Sequence, residues 1–365
     1  GEIGGTSVET VTLDAGTGTT SVGVIGSGTE IGALSIGSAE NGGITLNGAI
    51  TTDGVVTLDG PITLATGAIT ITTADDAINL QGTVDGGQAL TLSSGSAAVT
   101  VDGAIGSSTA LTSLTVNSSG AGTIEITDIG TSSAAGVSGA TAIGNTSTGT
   151  LTLDGTVYTT TGTQTYTAAT GGGNIDITNT AGTTFTTTNT AIAFNTSGVD
   201  LANNATTTID TGTGAGDVTF QGAIETNGSD NDILTVTSGT GTVTFTGAIG
   251  ATEELGGLNV NASSGNGVIT FTSTIGDSDN AGVIGTTSIG NAATSDLNFN
   301  STIYKFDGAT TITAASGDTI DMGAGAATTF TTAADNITFA TGNIELANGS
   351  NLTVDTGAAG GNITI

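Results

Sequence analysis

Short clusters of carboxylate and amide side chains are the best candidates for chemistry in this sequence. They occur at Asp75-Asp76, at Asp230-Asn231-Asp232 and at Asp277-Ser278-Asp279-Asn280. Calcium binds oxygen-rich side chains of this kind on turns. The predicted calcium ligands are Asp230, Asp232, Asp277 and Asp279. The spacing is not that of an EF-hand, and Asp and Asn are also ordinary turn residues, so a purely structural role for each cluster stays open.

The composition excludes several other kinds of site. The chain contains no Cys and no His, which removes disulfides, thiol and imidazole chemistry and nearly every zinc site. Lys305 is the only cation against 32 Asp and Glu, and the formal net charge is -31. Nucleic acid is therefore not an expected partner, since phosphate binding needs clustered Lys and Arg. No apolar run approaches the roughly 20 residues of a membrane helix, so no membrane span is expected.

Paired carboxylates could in principle hydrolyse glycosides. Clefts for that reaction also need aromatic rings beside the sugar, whereas the chain has no Trp and only three Tyr. We therefore expect no catalytic residues and no enzyme activity. A carbohydrate-binding or carbohydrate-active β-helix stays open as an alternative. Tyr158 and Tyr304 occupy matching places in two long repeats, where they form either an aromatic patch or part of the core.

A repeated phrase indicates the elements that must position these residues. VTFQGAI at Val218–Ile224 recurs as VTFTGAI at Val243–Ile249, and looser copies run from Ile44 to Ile344. Apolar and polar residues alternate and then break at Gly, which is typical of a half-buried strand followed by a bend. The copies follow one another at a quasi-regular step of roughly 20–28 residues, the scale of one solenoid coil. The predicted fold is all-β, an elongated parallel β-solenoid (β-helix) with coils of about 20–28 residues.

The third position of the phrase is apolar in every copy and predicts one continuous inward ladder. Its members are Leu80, Val101, Ile126, Leu153, Ile177, Leu201, Phe220, Phe245, Phe271, Phe299, Met322 and Leu346.

The sequence also contains a longer repeat, which includes several copies of the short phrase. The segments starting at Gly23, Gly103 and Gly247 align over fourteen residues. We predict one continuous solenoid over residues 1–365, with internal repeats at approximately 23–102, 103–246 and 247–365. The last repeat would continue into residues 1–22 of a next copy, since Ile363-Thr364-Ile365 followed by Gly1-Glu2-Ile3 nearly rebuilds the phrase.

The VTLDG and GAIT-type phrases, the Gly/Thr/Ala/Asn bias and the acidic balance resemble the repetitive segments of giant bacterial surface proteins. In these features the chain resembles the family of filamentous-haemagglutinin-like and autotransporter adhesins. The resemblance implies a right-handed parallel β-helix, secretion to the cell surface, and a role in adhesion, aggregation or a biofilm matrix.

These observations predict a non-enzymatic, extracellular structural protein that forms a filament on a bacterial cell surface. Its expected partners are identical copies stacked head to tail, or further covalent repeats of a longer chain, and surface polysaccharide is a further candidate. The alternative is a tandem β-sandwich subunit of a surface layer or pilus-like fibre.

Overall fold

A computed structural model describes residues 2–37, 42–117, 122–228, 231–261 and 263–365. The described residues form β-strands, turns and bends, with no helix among them. The chain divides into two compact units, Gly1–Ile175 and Asp176–Ile365. Each unit is built in the same way, from short parallel strands that recur once per coil.

The strands form where apolar and polar residues alternate. In the strand Val218–Phe220, Val218 and Phe220 are buried and Thr219 lies at the surface. Successive side chains of a strand point to opposite faces, and Val, Ile, Phe and Thr are the residues that favour this pleated, half-buried position. The Gly-containing breaks between strands turn the chain from one face of the coil to the next.

The first unit contains eighteen strands among its described residues. They are β1 (Thr10–Leu13), β2 (Thr20–Val22), β3 (Ala33–Gly37), β4 (Ile44–Leu46), β5 (Ile50–Thr52), β6 (Val56–Asp59), β7 (Ile62–Leu64), β8 (Ile69–Thr73), β9 (Ile78–Leu80), β10 (Val84–Asp85), β11 (Ala89–Ser93), β12 (Val99–Val101), β13 (Ser113–Asn117), β14 (Ile124–Ile126), β15 (Thr141–Ile143), β16 (Thr150–Leu153), β17 (Val157–Thr159) and β18 (Gln164–Thr167). The next strand, β19 (Asn174–Ile177), includes the last residues of this unit.

The second unit contains the remaining described strands. They are β20 (Thr183–Thr186), β21 (Ile192–Asn195), β22 (Gly198–Leu201), β23 (Thr206–Asp210), β24 (Val218–Phe220), β25 (Ala223–Thr226), β26 (Ile233–Thr237), β27 (Val243–Phe245), β28 (Gly257–Val260), β29 (Ile269–Phe271), β30 (Thr287–Ile289), β31 (Leu297–Phe299), β32 (Ile303–Lys305), β33 (Thr310–Ile312), β34 (Thr319–Met322), β35 (Thr328–Thr331), β36 (Ile337–Phe339), β37 (Asn343–Leu346), β38 (Leu352–Asp355) and β39 (Ile363–Thr364).

In the first unit the strands stack into three sheets. One sheet, the β1 face, has the order β1-β3-β6-β9-β12-β14-β16. The second, the β5 face, has the order β5-β8-β11-β13-β15-β18, and the third has the order β2-β4-β7-β10. Adjacent strands belong to successive coils and pair in parallel, for example β9 with β12 and β12 with β14.

The second unit repeats this arrangement. One sheet has the order β21-β24-β27-β29-β31-β34-β37, and another has the order β20-β23-β26-β28-β30-β33-β36-β39. The third side is formed by the pair β22-β25 and by β32-β35-β38. Single parallel bridges from Ile224 to Ile249, from Ile249 to Ile275 and from Ile275 to Tyr304 link that pair to β32.

This architecture is a parallel β-solenoid of about 14 turns, which confirms the predicted fold class. Many register partners on successive coils lie within the predicted step, for example Ile78 with Val99 and Ile269 with Leu297. A few lie just outside it, such as Ile44 with Ile62 and Leu258 with Thr287. The β-sandwich alternative is wrong, because sandwiches are built from antiparallel strands and neighbouring strands here are parallel.

The predicted single ladder is wrong at one point. Leu201 pairs with Thr226 on the β22–β25 side, whereas Phe220 pairs with Phe194 on the β21–β24 side. The repeated phrase contains two strands separated by a bend, since β24 and β25 flank Gly222. The sequence pattern alone therefore does not say on which side of the coil a copy of the phrase lies.

From Phe194 onward the ladder is a stack of aromatic rings. Phe194, Phe220, Phe245, Phe271 and Phe299 are fully buried and lie one above another on successive coils. The ring centroids are 4.8, 5.4, 5.0 and 5.3 Å apart and adjacent ring planes differ by 5° to 9°. This spacing follows the distance between paired strands, about 4.7–4.9 Å, so the backbone ladder sets the stacking.

Glycine allows the backbones of successive coils to approach closely at the bends. A Cβ added to Gly103 would lie 2.2 Å from the carbonyl carbon of Gly82, and one added to Gly247 would lie 2.1 Å from that of Gly222. A second close contact of this kind occurs at Gly106 and at Gly250, two positions that the longer sequence repeat aligns with each other. A Cβ on Gly106 or on Gly250 would meet a Gly carbonyl oxygen at 2.0 Å. The boundaries of the repeats at 23–102, 103–246 and 247–365 stay a prediction.

All three tyrosines lie in the core. Tyr158, Tyr166 and Tyr304 are 0% exposed, and the Tyr158 hydroxyl donates to the Ile126 carbonyl oxygen at 2.7 Å and accepts from the Gly155 amide at 3.0 Å. The Tyr304 hydroxyl likewise accepts from the Ser301 amide at 2.8 Å. The core-filling interpretation of Tyr158 and Tyr304 is therefore confirmed.

This burial predicts how the protein responds to alkaline pH. Burial raises the pKa of Tyr158 and Tyr166 well above the ordinary value and also raises the pKa of Tyr304. The tyrosines of the unfolded chain ionise at about pH 10, whereas those of the folded chain do not. Their contribution to the free energy of unfolding is therefore fully present below that pH and is lost as the pH rises above it. We expect tyrosinate absorbance to appear in one step, together with the loss of β-sheet circular dichroism. Gradual ionisation near pH 10 with an unchanged β-sheet spectrum would contradict the buried positions.

Candidate functional site

The structure separates the predicted calcium ligands. Asp230 lies outside the described residues. Asp232 is buried in the second unit, where its Oδ1 accepts a hydrogen bond from the Asn204 backbone amide. Its carbonyl oxygen accepts from the Gly256 amide at 2.9 Å. Asp232 thus ties together turns of neighbouring coils, which is the structural role left open by the sequence.

Asp277 and Asp279 lie together on one exposed turn. The Asp277 Oδ1 accepts from the backbone amides of Asp279 and Asn280, each at 2.7 Å. These two bonds, first that of Asn280, hold the pKa of Asp277 below its ordinary value, and the Lys305 charge adds to the effect. This geometry is an Asx turn, in which a side-chain carboxylate replaces a backbone acceptor.

The only cation of the chain is bound to the same turn. The Lys305 Nζ donates to the carbonyl oxygens of Asp279 at 2.7 Å and Ser278 at 3.3 Å. Lys305 therefore already engages two of the oxygens that this turn offers to a cation. Among the described residues no group of three or more Asp and Glu is arranged to hold a metal ion. Calcium binding by these aspartates stays a prediction.

A different set of carboxylates joins successive coils. Each accepts hydrogen bonds from backbone amides 21 to 29 residues further along the chain, in a turn of the next coil. We call these six residues the coil clamps: Asp75, Asp85, Asp128, Asp217, Glu225 and Asp296.

Asp128 and Asp296 show the geometry. The Asp128 Oδ1 accepts from the Thr156 amide at 2.7 Å and the Val157 amide at 3.0 Å. The Asp296 Oδ1 accepts from the amide and the hydroxyl of Thr319, at 2.9 and 2.8 Å. Hydrogen bonds from amides to a carboxylate are about twice as strong as neutral ones. The clamps therefore accept hydrogen bonds from turn amides that are not paired in the parallel ladders.

Sequence reasoning missed the clamps, because it considered the acidic clusters only as calcium ligands or turn residues. The available signal was an acidic residue followed about one coil later by a Thr- or Ser-containing turn, as in Asp217 and Thr242 or Asp85 and Thr109. In a chain this rich in Thr and Ser, that signal is common and did not single out the bonded pairs.

Other carboxylates in the first unit lie close together. Burial raises the pKa of Glu125, and the charges of Asp154 and Asp102 raise it further. Burial also raises the pKa of Asp154, against the effect of its own backbone amide. The raised pKa means that Glu125 and Asp154 hold their protons more strongly than ordinary carboxylates. Glu125 lies on β14, and Asp102 and Asp154 directly follow the neighbouring strands β12 and β16 of the β1 face.

One cleft in the second unit has a volume of about 420 Å³. Its wall includes Asp210, Thr213, Ser263, Asn266 and Asn291. Asp210 accepts a hydrogen bond from the Gly212 amide at 2.8 Å, and Asn291 donates to the Gly265 carbonyl oxygen at 2.8 Å. The polar groups of the cleft thus also serve its own turns, and none of the three tyrosines reaches it.

The geometry defines the class of protein: a parallel β-solenoid whose coils are joined by backbone ladders, a stacked core and carboxylate clamps. No family model matches the chain, and searches of curated proteins and of solved structures find no match either. The assignment to this class therefore depends on the strand pairing itself. Among the described residues no helix is long and apolar enough to span a membrane.

Proposed function

We propose that this protein is a non-enzymatic, extracellular structural protein that forms a filament on a bacterial cell surface, by head-to-tail continuation of its solenoid. Adhesion, aggregation or a biofilm matrix would be the process that such a filament serves.

The observation that carries this proposal is the coil-to-coil ladder. Identical or similar side chains stack in register through each unit, as in Val218 with Val243 and Ile269. Tyrosines, buried aspartates and the coil clamps all take part in holding coils together. Polar as well as apolar residues thus hold successive coils together in a regular stack. A filament needs a regular stack of this kind.

The outermost strands of the two units are places where the solenoid could be continued, by another copy or by further coils of the same polypeptide. In the second unit β37, β38 and β39 are the outermost strands of their sheets, and Leu346 and Ile363 are 49% and 47% exposed. In the first unit β1 and β2 are the outermost strands of theirs. An unpaired edge with exposed apolar side chains pairs readily with another strand. We propose that the β37–β39 edge pairs with the β1 and β2 edge of an identical copy.

Sedimentation and electron microscopy of the purified chain would test this. We expect polymers that lengthen with protein concentration. Ile363→Asp should abolish them, because it places a charge among the apolar side chains of the edge. Thr364→Asp is the matched control, since it adds the same charge at the next residue of β39 and should reduce assembly less.

A chain that stays monomeric at all concentrations would contradict head-to-tail stacking. If filaments form and the denatured mass equals several chain lengths, covalent repeats replace stacking as the explanation. Equal effects of the two variants would show that charge alone, and not the pairing edge, controls assembly.

A further inference from the structure

One outer surface of the first unit carries a regular array of small polar side chains, most of them hydroxyl side chains of Thr. On the β5 face, Thr70 is in register with Thr91, and Thr91 with Thr115. Two residues further along the same strands, Thr72 is in register with Ser93, and Ser93 with Asn117. We call these six residues the threonine array: Thr70, Thr72, Thr91, Ser93, Thr115 and Asn117.

The array extends beyond these three coils. Thr51 of β5 continues the column of Thr72, and Thr165 of β18 continues the column of Thr115 through Ala142. All of these side chains are half-buried, and the residues between them on the strands are buried. The array is therefore the solvent side of a sheet whose other side is the core.

The hydroxyls of the array differ from those at the corners of the coils. Thr52 and Thr73 are buried and donate to the carbonyl oxygens of Gly54 and Asp76. Within the described part of the chain, the hydroxyls of Thr70, Thr72, Thr91 and Thr115 make no hydrogen bond to protein atoms. Each has its donor and its acceptor available to water.

The array also excludes charge, although the chain carries 32 carboxylates. The outward side chains of β5, β8, β11, β13, β15 and β18 are Thr, Ser, Ala and Asn only. The β1 face of the same unit, in contrast, carries Asp59 and Glu125 at outward positions. A surface that serves only to keep a protein soluble is expected to carry charged side chains. The outward side chains of these strands carry none.

The spacing of the array is fixed by the sheet. Hydroxyls on successive coils are about 4.7–4.9 Å apart, and those two residues apart on a strand are about 6.6–6.8 Å apart. The first distance is close to the shorter repeat between water oxygens on the prism plane of ice, and the second distance is somewhat shorter than the longer repeat. Because Thr has a stiff, β-branched side chain, little conformational entropy is lost when its hydroxyl and methyl groups order the adjoining water.

We propose that the threonine array binds the surface of crystalline ice. The methyl groups would fill gaps of the lattice, and the hydroxyls would replace water molecules of its outermost layer. The proposal does not depend on filament formation, since the whole array lies in the first unit.

The test compares inhibition of ice recrystallisation by the full chain and by two double variants. Thr91→Lys with Thr115→Lys places two bulky charges on adjacent coils of the array. Ser35→Lys with Thr57→Lys makes the matching change on adjacent coils of the β1 face, where Ser35 is in register with Thr57. We expect the first variant to need at least about tenfold more protein for the same inhibition, a loss of about 1.4 kcal/mol in binding, and the second to match the parent chain.

A second array variant, Thr91→Val with Thr115→Val, removes the hydroxyls and keeps the side-chain shape, so it remains informative if the lysine variant folds poorly. Circular dichroism and the Tm of each variant establish folding. The proposal is overturned if the parent chain does not inhibit recrystallisation, if both lysine variants lose activity equally, or if the chain adsorbs to crystalline cellulose and not to ice.

Discussion

Replacing Phe245 by Ala is expected to destabilise the second unit by about 3–5 kcal/mol. Phe245 is 1% exposed and stacks between Phe220 and Phe271 with centroid distances of 5.4 and 5.0 Å. The change removes a large buried ring and opens a cavity that the rigid ladders on either side cannot close. Hydrogen exchange of the amides of β24, β27 and β29 measures the effect where it occurs, since a long repeat structure need not unfold in one step.

Two further substitutions make this result specific. Phe245→Leu keeps much of the volume and should cost less than Phe245→Ala. Thr244→Ala changes the neighbouring outward residue and should alter exchange by less than about 0.5 kcal/mol. If Phe245→Ala left exchange in these strands unchanged, the stacked column would not be a stabilising core.

Gly103→Ala is expected to cost about 3 kcal/mol, although it adds only one methyl group. The added Cβ would lie 2.2 and 2.3 Å from the carbonyl carbon and oxygen of Gly82. These are backbone atoms, so the contact is relieved only by moving one coil away from the next and weakening the ladders beside it. The measurement is the shift in Tm and in hydrogen exchange of β9 and β12.

Gly87→Ala is the matched control, because nothing lies within 4 Å of a Cβ at that position. It should be neutral or slightly stabilising, since Ala restricts the unfolded chain more than Gly does. A similar loss of stability in both variants would mean that the glycines serve the flexibility of the bends and not the close approach of the coils.

Much of the fold follows from the sequence because the information is local and repeated. Alternation in phrases such as VTLDG at Val56–Gly60 predicts a strand, and the recurring step predicts one coil per repeat. The side of the coil on which each strand lies is not local information. Leu201 and Phe220 occupy the same position in the phrase, yet their partners are Thr226 and Phe194, because the phrase contains two strands and a corner.

The candidate site was less predictable for a physical reason. The sequence places Asp277 and Asp279 in a cluster that suits either calcium or a turn, but the bond from Lys305 to the Asp279 carbonyl oxygen joins residues 26 positions apart. The coil clamps likewise depend on the axial register between a carboxylate and the amides of the next turn, which composition and spacing do not determine. The threonine array needed the pairing register before its two columns could be seen as one surface.

The recurrence of one close contact at Gly106 and Gly250 has a consequence for inheritance. DNA segments that encode equivalent coils can recombine with each other, and an exchange between them adds or removes a whole number of coils. Because each coil contacts only its neighbours, the new junction has the same glycine contact as the old one. The register of the strand pairing between coils is then kept. An exchange of this kind would therefore change the chain length by whole coils without a change of fold.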